Sequence, residues 1–69
     1  MRISYTIHAL GQMQERRIHP IWVEETIKYA DETKRIEQKY YAVKRFNGKV
    51  LKVVYVKENY IKVVTTFFI

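Results

Sequence analysis

Four polar side chains fall on one side of a predicted helix near the start of the chain: His8, Gln12, Glu15 and Arg16. Residues spaced by three and four positions are neighbours on a helix surface. An imidazole can take a proton from a ribose 2′-hydroxyl or give one to a leaving oxygen. A guanidinium can hold a phosphate through two hydrogen bonds and stabilise the charge that develops there. His8 and Arg16 are therefore the pair we expect to act in metal-free cleavage of RNA.

The same side chains also have structural interpretations. His8, at a helix start, could bond the backbone or Glu15, and Arg16 could pair with Glu24 or Glu25 of a following helix. The two histidines lie eleven positions apart and no acidic residues cluster beside them, so we predict no metal site. The sequence has no glycine-rich phosphate loop, and we predict no cofactor.

The chain is short and basic. It has 69 residues, a formal net charge of +6 and no cysteine. Its length predicts one domain over residues 1–69, with a thin core that a homodimer would help to stabilise. The charge favours a polyanion such as RNA, or an acidic partner protein, although it could serve solubility alone. With no signal peptide, no disulfide framework and no membrane span in the sequence, we expect a cytoplasmic protein.

Helical patterns occupy the first half of the chain. Two helices are predicted, over about 7–17 and from 20 to about 29–31. Thr6 can cap the first helix, and Pro20 suits the first position of the second. Residues 31–34 are expected to form a connection.

Strand-forming residues dominate from Ile36 onward. We predict three antiparallel strands, at about 37–46, 49–57 and 60–68. Asn47-Gly48 is a strong two-residue hairpin turn, and Glu58-Asn59 is a weaker one. Residues 2–5 could form an extended lead-in. The predicted fold is an α+β domain with two N-terminal helices on a three-stranded antiparallel β-meander.

The turns also predict which side chains share a face of the sheet. A turn at Asn47-Gly48 pairs Phe46 with Lys49 and Tyr40 with Tyr55; a turn at Glu58-Asn59 pairs Lys57 with Tyr60. We expect the helices to cover the more apolar face, with Tyr41, Val43, Arg45, Val50, Lys52, Val54, Val56, Ile61, Val63, Thr65 and Phe67. The other face interleaves aromatic and basic residues, among them Tyr40, Lys44, Tyr55, Tyr60 and Lys62.

This tyrosine–lysine face suits RNA, because aromatic rings stack on unpaired bases and lysines neutralise phosphates. It could equally form a protein or dimer interface, or be an ordinary surface. Arg45 and Lys52 on the expected covered face require a partner or a position at the rim. In a cleft they could meet the end of the first helix and form an anion pocket with the hydroxyls of Tyr41 and Thr65.

The motifs His8-Ala9, Gln12-Met13 and Arg16-Arg17-Ile18 resemble the opening of a family of small uncharacterised prokaryotic domains, with the pattern His-Ala-x-x-Arg-Met-x-x-Arg-Gly-Ile. Val53-Val54-Tyr55 and Val63-Val64-Thr65-Thr66-Phe67 are similar to the strands that end that family. The family is regarded as similar to RelE-type toxins and to the metal-independent nucleases that include barnase. The resemblance implies a RelE-like fold, sometimes encoded beside an antitoxin, with His8 and Arg16 at the family's polar positions.

Two departures from that pattern concern the first helix. Gln12 stands where the family often has Arg, which removes one phosphate contact, and Arg17 replaces the usual Gly. The leading hypothesis is a toxin-like RNA endonuclease that leaves a 2′,3′-cyclic phosphate. Its expected acid or base is His8, and its expected phosphate and base contacts are Arg16, Arg45, Lys52, Lys44, Lys62, Tyr41 and Tyr55. The alternative is a non-catalytic RNA-binding or protein-interaction module of the same fold.

Overall fold

Five strands and two helices make up the structure, a computed structural model that describes residues 2–69. The elements are β1 (Ile3–Tyr5), α1 (Ile7–Arg16), α2 (Pro20–Lys28), β2 (Glu32–Ile36), β3 (Lys39–Phe46), β4 (Lys49–Lys57) and β5 (Ile61–Phe68). They form one sheet in the order β1-β5-β4-β3-β2. β1 is parallel to β5, and the other neighbours are antiparallel. Neither helix of the described chain is long and apolar enough to cross a lipid bilayer.

The expected three-stranded antiparallel meander is therefore wrong, because two further strands flank it. The lead-in forms β1, which pairs Ile3 with Ile61 and Tyr5 with Val63. The expected connection is largely β2, an edge strand whose five side chains are all exposed. Since β2 is held by backbone pairing with β3 and buries no side chain, it lacks the apolar alternation that marks a strand in a sequence.

Both helices begin at the residues that the sequence predicts. The Thr6 hydroxyl accepts a hydrogen bond from the Ala9 backbone at 3.0 Å, which caps α1. His19 caps α2 through Nδ1, which accepts from the Ile21 backbone at 3.1 Å, with Pro20 at the first helical position. α1 ends where Arg17 adopts a left-handed conformation with φ of 55°.

The β3–β4 hairpin confirms the predicted register. Phe46 pairs with Lys49, and Tyr40 pairs with Tyr55. Asn47 and Gly48 both have positive φ, 36° and 82°, as a tight hairpin turn between right-twisted strands requires.

The β4–β5 pairing differs from the predicted register. Lys57 pairs with Ile61 rather than Tyr60, and the partners then jump from Val63 to Thr65 between Tyr55 and Val54. Val64 is thus an additional residue in β5, a β-bulge. Before the bulge the odd-numbered residues of β5 face the helices, and after it the even-numbered ones do.

The bulge and the packing of the helices define two faces of the sheet. On the helix-covered face, Ala9, Met13 and Val23 of the helices pack against Leu51 and Val53. The strand residues on this face are Ile3, Tyr5, Thr33, Arg35, Tyr40, Ala42, Lys44, Phe46, Lys49, Leu51, Val53, Tyr55, Lys57, Ile61, Val63, Thr66 and Phe68. The expectation that the helices cover Tyr41, Val43, Arg45, Val50, Lys52, Val54, Val56 and Phe67 is wrong. Of the expected set, Ile61 and Val63 lie on the helix-covered face, and the Thr65 hydroxyl reaches Gln12 of α1.

Candidate functional site

The face of the sheet away from the helices, here called the open face, concentrates positive charge. Its residues are Ser4, Glu32, Lys34, Ile36, Lys39, Tyr41, Val43, Arg45, Val50, Lys52, Val54, Val56, Lys62 and Phe67. Within residues 2–69, five of these are cationic and one, Glu32, is acidic. The cations come from four strands, because each strand contributes alternate side chains to each face.

Lys52 and Tyr41 lie at the centre of the open face. The Lys52 ammonium is 5.6 Å from the centroid of the Tyr41 ring, a distance at which a cation interacts with an aromatic face. Both side chains are half-buried and line a cavity of about 130 Å³ together with Glu32, Lys34 and Val43. Phe67 is the cross-strand partner of Lys52. An aromatic ring therefore lies on each side of this lysine.

No ion pair neutralises the cations of the open face in the part of the chain that the structure describes. The ion pair found between residues 2 and 69 joins Lys28 to Glu24 on α2, at 3.2 Å. The Arg45 backbone N–H, rather than its guanidinium, donates to the Asp31 carboxylate at 2.9 Å. The five cations are thus available to an external anion.

The structure brings together four of the residues expected to bind RNA. Arg45, Lys52, Lys62 and Tyr41 share the open face. The anion pocket expected between Arg45, Lys52 and the end of the first helix is not formed, because α1 packs on the opposite side of the sheet. The prediction failed because the helices cover the other face, so that these basic residues need no buried partner.

Lys44 and Tyr55 lie apart from that group, on the helix-covered face. Lys44 sits 5.6 Å from the centroid of the Phe46 ring. Tyr55 is 6% exposed and stacks on Tyr40, with centroids 5.2 Å apart and planes 8° from parallel. Burial, with a smaller contribution from Tyr40, raises the pKa of the Tyr55 hydroxyl. The tyrosine–lysine face expected to be exposed is therefore largely the core side of the sheet.

His8 and Arg16 both project from α1 and are exposed. In the chain from residue 2 to residue 69, neither makes a side-chain hydrogen bond or an ion pair, so the expected partners Glu15, Glu24 and Glu25 are not engaged by them. Gln12, expected on the same stripe, instead turns to the sheet. Its oxygen accepts hydrogen bonds from the Thr65 hydroxyl and the Thr66 backbone.

The sequence interpretation missed Lys34, Lys39 and Phe67 as members of a binding surface. Lys34 lies on the unrecognised strand β2, and Lys39 opposes the last residue of that strand, Ile36. The sequence predicts that the helices cover Phe67, whereas it lies on the open face. The alternation Glu32-Lys34-Ile36 against Thr33-Arg35 was the available signal for a strand, but it contains too few apolar residues to stand out. No group of three or more potential metal ligands occurs in the described range.

Comparison with known proteins identifies the family to which the chain belongs. The model of a domain of unknown function, DUF4258, matches residues 5–68. The chain belongs to the DUF4258 family. Neither a curated protein nor a solved structure shows a significant match. The matched region of this DUF4258 domain runs from Tyr5, the last residue of β1, to Phe68, the last residue of β5, and includes both helices and the strands β2 to β5.

Proposed function

We propose that this DUF4258 domain binds single-stranded RNA on its open face. The observation that carries the proposal is the set of five cations that surrounds Tyr41 and Phe67 on a face that no helix covers. Lysine and arginine attract the phosphates, and exposed ring surface stacks on unpaired bases. Stacking of this kind needs no particular base, so the expected binding is tolerant of sequence.

The charge of the open face also argues against burying it between two copies of the chain. A face-to-face dimer would place five cations and one carboxylate against the same set. Like charges brought together in this way are destabilising. A polyanion, by contrast, gains from each cation and releases its own counterions. An acidic protein is the competing partner that the same charges would attract.

The toxin-like endonuclease stays a prediction, and the geometry supports it less well. Cleavage requires an acid or base and the phosphate-binding groups within reach of the same phosphate. His8 and Arg16 belong to a helix on one side of the sheet, whereas Arg45 and Lys52 lie on the other. These residues do not enclose one cleft.

The test compares two triple variants of equal charge. One replaces Lys34, Lys52 and Lys62 of the open face with Gln, and the control replaces Lys28, Lys44 and Lys49, which lie elsewhere. Binding of a labelled oligouridylate is measured by fluorescence anisotropy at several salt concentrations. We expect the open-face variant to bind at least tenfold more weakly and to lower the slope of log Kd against log salt by about 2. The control should retain most of the affinity and slope.

Equal weakening in both variants would show that net charge, not the open face, governs binding, and would overturn the proposal. Stronger competition by polyglutamate than by RNA of the same charge would favour an acidic protein partner. The same RNA, incubated with the protein and a chelator, should remain intact on a gel. If the protein cleaves the RNA and the His8→Ala variant does not, the endonuclease hypothesis would be favoured over the binding-module hypothesis.

A further inference from the structure

A second cationic cluster lies around Tyr40, on the helix-covered face beside the connection between β2 and β3. The Arg35 guanidinium carbon is 5.4 Å from the centroid of the Tyr40 ring, and the Lys57 ammonium is 5.6 Å from the same centroid. Both cations line one cavity of about 330 Å³, together with Gln38 and Glu58. Two positive side chains from different strands thus contact the same aromatic ring and line the same cavity.

The Arg35 guanidinium makes one backbone hydrogen bond beside this cavity and is not neutralised there by any residue that the structure describes. The Arg35 Nε–H donates to the Glu37 backbone oxygen at 3.0 Å, which fixes the guanidinium while its other N–H groups stay available. Glu58 lines the cavity, but within the described chain its carboxylate is in no ion pair with Arg35 or Lys57. The cavity therefore carries an excess of positive charge.

The stacking of Tyr40 on Tyr55 limits what the cavity can hold. The Tyr40 ring is stacked on Tyr55, and Arg35 and Lys57 both lie over the Tyr40 ring. A nucleobase could stack on Tyr40 only after displacing them. An anion of small volume and double charge, in contrast, would interact with both cations and leave the stacked rings unchanged.

We propose that this cavity binds a phosphate monoester, held between Arg35 and Lys57. A monoester carries close to two negative charges above its second pKa of about 6, and it offers three acceptor oxygens to the guanidinium and the ammonium. The group could belong to a free nucleotide or to the 5′ end of an RNA strand. Neither Arg35 nor Lys57 belongs to the open face, although Val56 of that face also lines the cavity, and the site goes beyond the proposed function.

The test measures binding of uridine 5′-monophosphate by calorimetry, with uridine and inorganic phosphate as comparison ligands. We expect saturable binding of the monophosphate and none of uridine. Arg35→Gln and Lys57→Gln should each weaken it at least fivefold, and Glu58→Gln should strengthen it. Lys49→Gln is the matched control, because Lys49 lies 5.1 Å from the Phe68 ring centroid and no second cation of residues 2–69 lies over that ring. Its affinity should stay within twofold.

RNA that carries or lacks a 5′-phosphate identifies the source of the monoester. A preference for the phosphorylated end that disappears in Arg35→Gln assigns the site to a strand end; equal binding of both RNAs, with retained binding of the monophosphate, assigns it to a free nucleotide. The open-face triple variant should bind the monophosphate normally, which separates this site from the open face. The absence of saturable binding, or binding that Arg35→Gln and Lys57→Gln leave unchanged, would overturn the inference.

Discussion

The side-chain oxygen of Gln12 accepts a hydrogen bond from the Thr66 backbone N–H, at 3.1 Å. This contact fastens α1 to β5 beyond the point where β1 stops pairing with that strand. Gln12 is half-buried, and the Thr65 hydroxyl donates to the same oxygen. The position thus requires an acceptor, which a guanidinium does not have.

Gln12→Arg, which replaces this acceptor with a guanidinium, should destabilise the chain. The Thr66 N–H would lose its partner, and an unsatisfied donor costs about 1–3 kcal/mol. The free energy of unfolding, measured by urea denaturation, checks this. Gln14→Arg is the matched control, since Gln14 lies exposed on the same helix and the change in charge is identical. Equal stability of the two variants would mean that the contact contributes nothing.

Phe67→Leu should weaken the binding of single-stranded RNA while leaving the fold intact. The substitution keeps apolar volume beside Lys52 but removes the ring, and a stacked base is worth about 1–3 kcal/mol. Anisotropy with single-stranded and double-stranded RNA checks it, because only unpaired bases offer a free face. Phe68→Leu changes the neighbouring ring on the helix-covered face and should affect stability rather than affinity. A loss shared equally by both RNA types would argue against stacking on Phe67.

Substitution of the two glycines by alanine should change the stability of the protein in opposite directions. Gly11 lies inside α1, and among residues 2–69 an added Cβ would meet no atom within 4 Å beyond the adjoining residues and the backbone of its own helix. Gly11→Ala should therefore stabilise the protein by about 0.5–1 kcal/mol. Gly48 has φ of 82° in the hairpin turn, and Gly48→Ala should destabilise it by about 1 kcal/mol or more. The melting temperature (Tm) of each variant, measured by thermal denaturation, checks both predictions. A rise in Tm for Gly48→Ala would contradict the turn geometry.

Alkaline pH should unfold the protein partly through Tyr55. Burial raises the pKa of Tyr55 above its ordinary value of 10.0, so the folded state favours the neutral phenol. This contribution to stability is present below pH 10 and is lost as the pH rises through the raised pKa, since the unfolded chain ionises first. Denaturant titrations on both sides of this range should show a smaller loss in Tyr55→Phe than in the wild type. Tyr29→Phe is the control at an exposed position, and the free energy of unfolding of this variant should fall by as much as that of the wild type.

The features that the sequence predicted correctly depend on residues close together in the chain. Thr6 and Pro20 act within one helical turn, and Asn47-Gly48 fixes the register of β3 and β4 because a two-residue turn leaves no freedom in the pairing. These local rules hold without knowledge of the rest of the fold.

The features that it missed depend on distant parts of the chain. Both faces of β3 and β4 carry apolar and basic residues, so alternation alone could not show which one the helices cover. The bulge at Val64 then moved the last part of β5 to the opposite phase. Because alternation in β3 and β4 does not show which face the helices cover, the sequence identifies Arg45 and Lys52 as candidate phosphate ligands but predicts them on the wrong side of the sheet.

The parallel pairing of β1 with β5 has a consequence for synthesis. Ile3 and Ile61 are partners although 58 positions separate them along the chain. During translation β1 emerges first, but its partner emerges only after the helices and the β3–β4 hairpin. The nascent chain must therefore hold β1 unpaired until β5 leaves the ribosome, and the sheet closes only then.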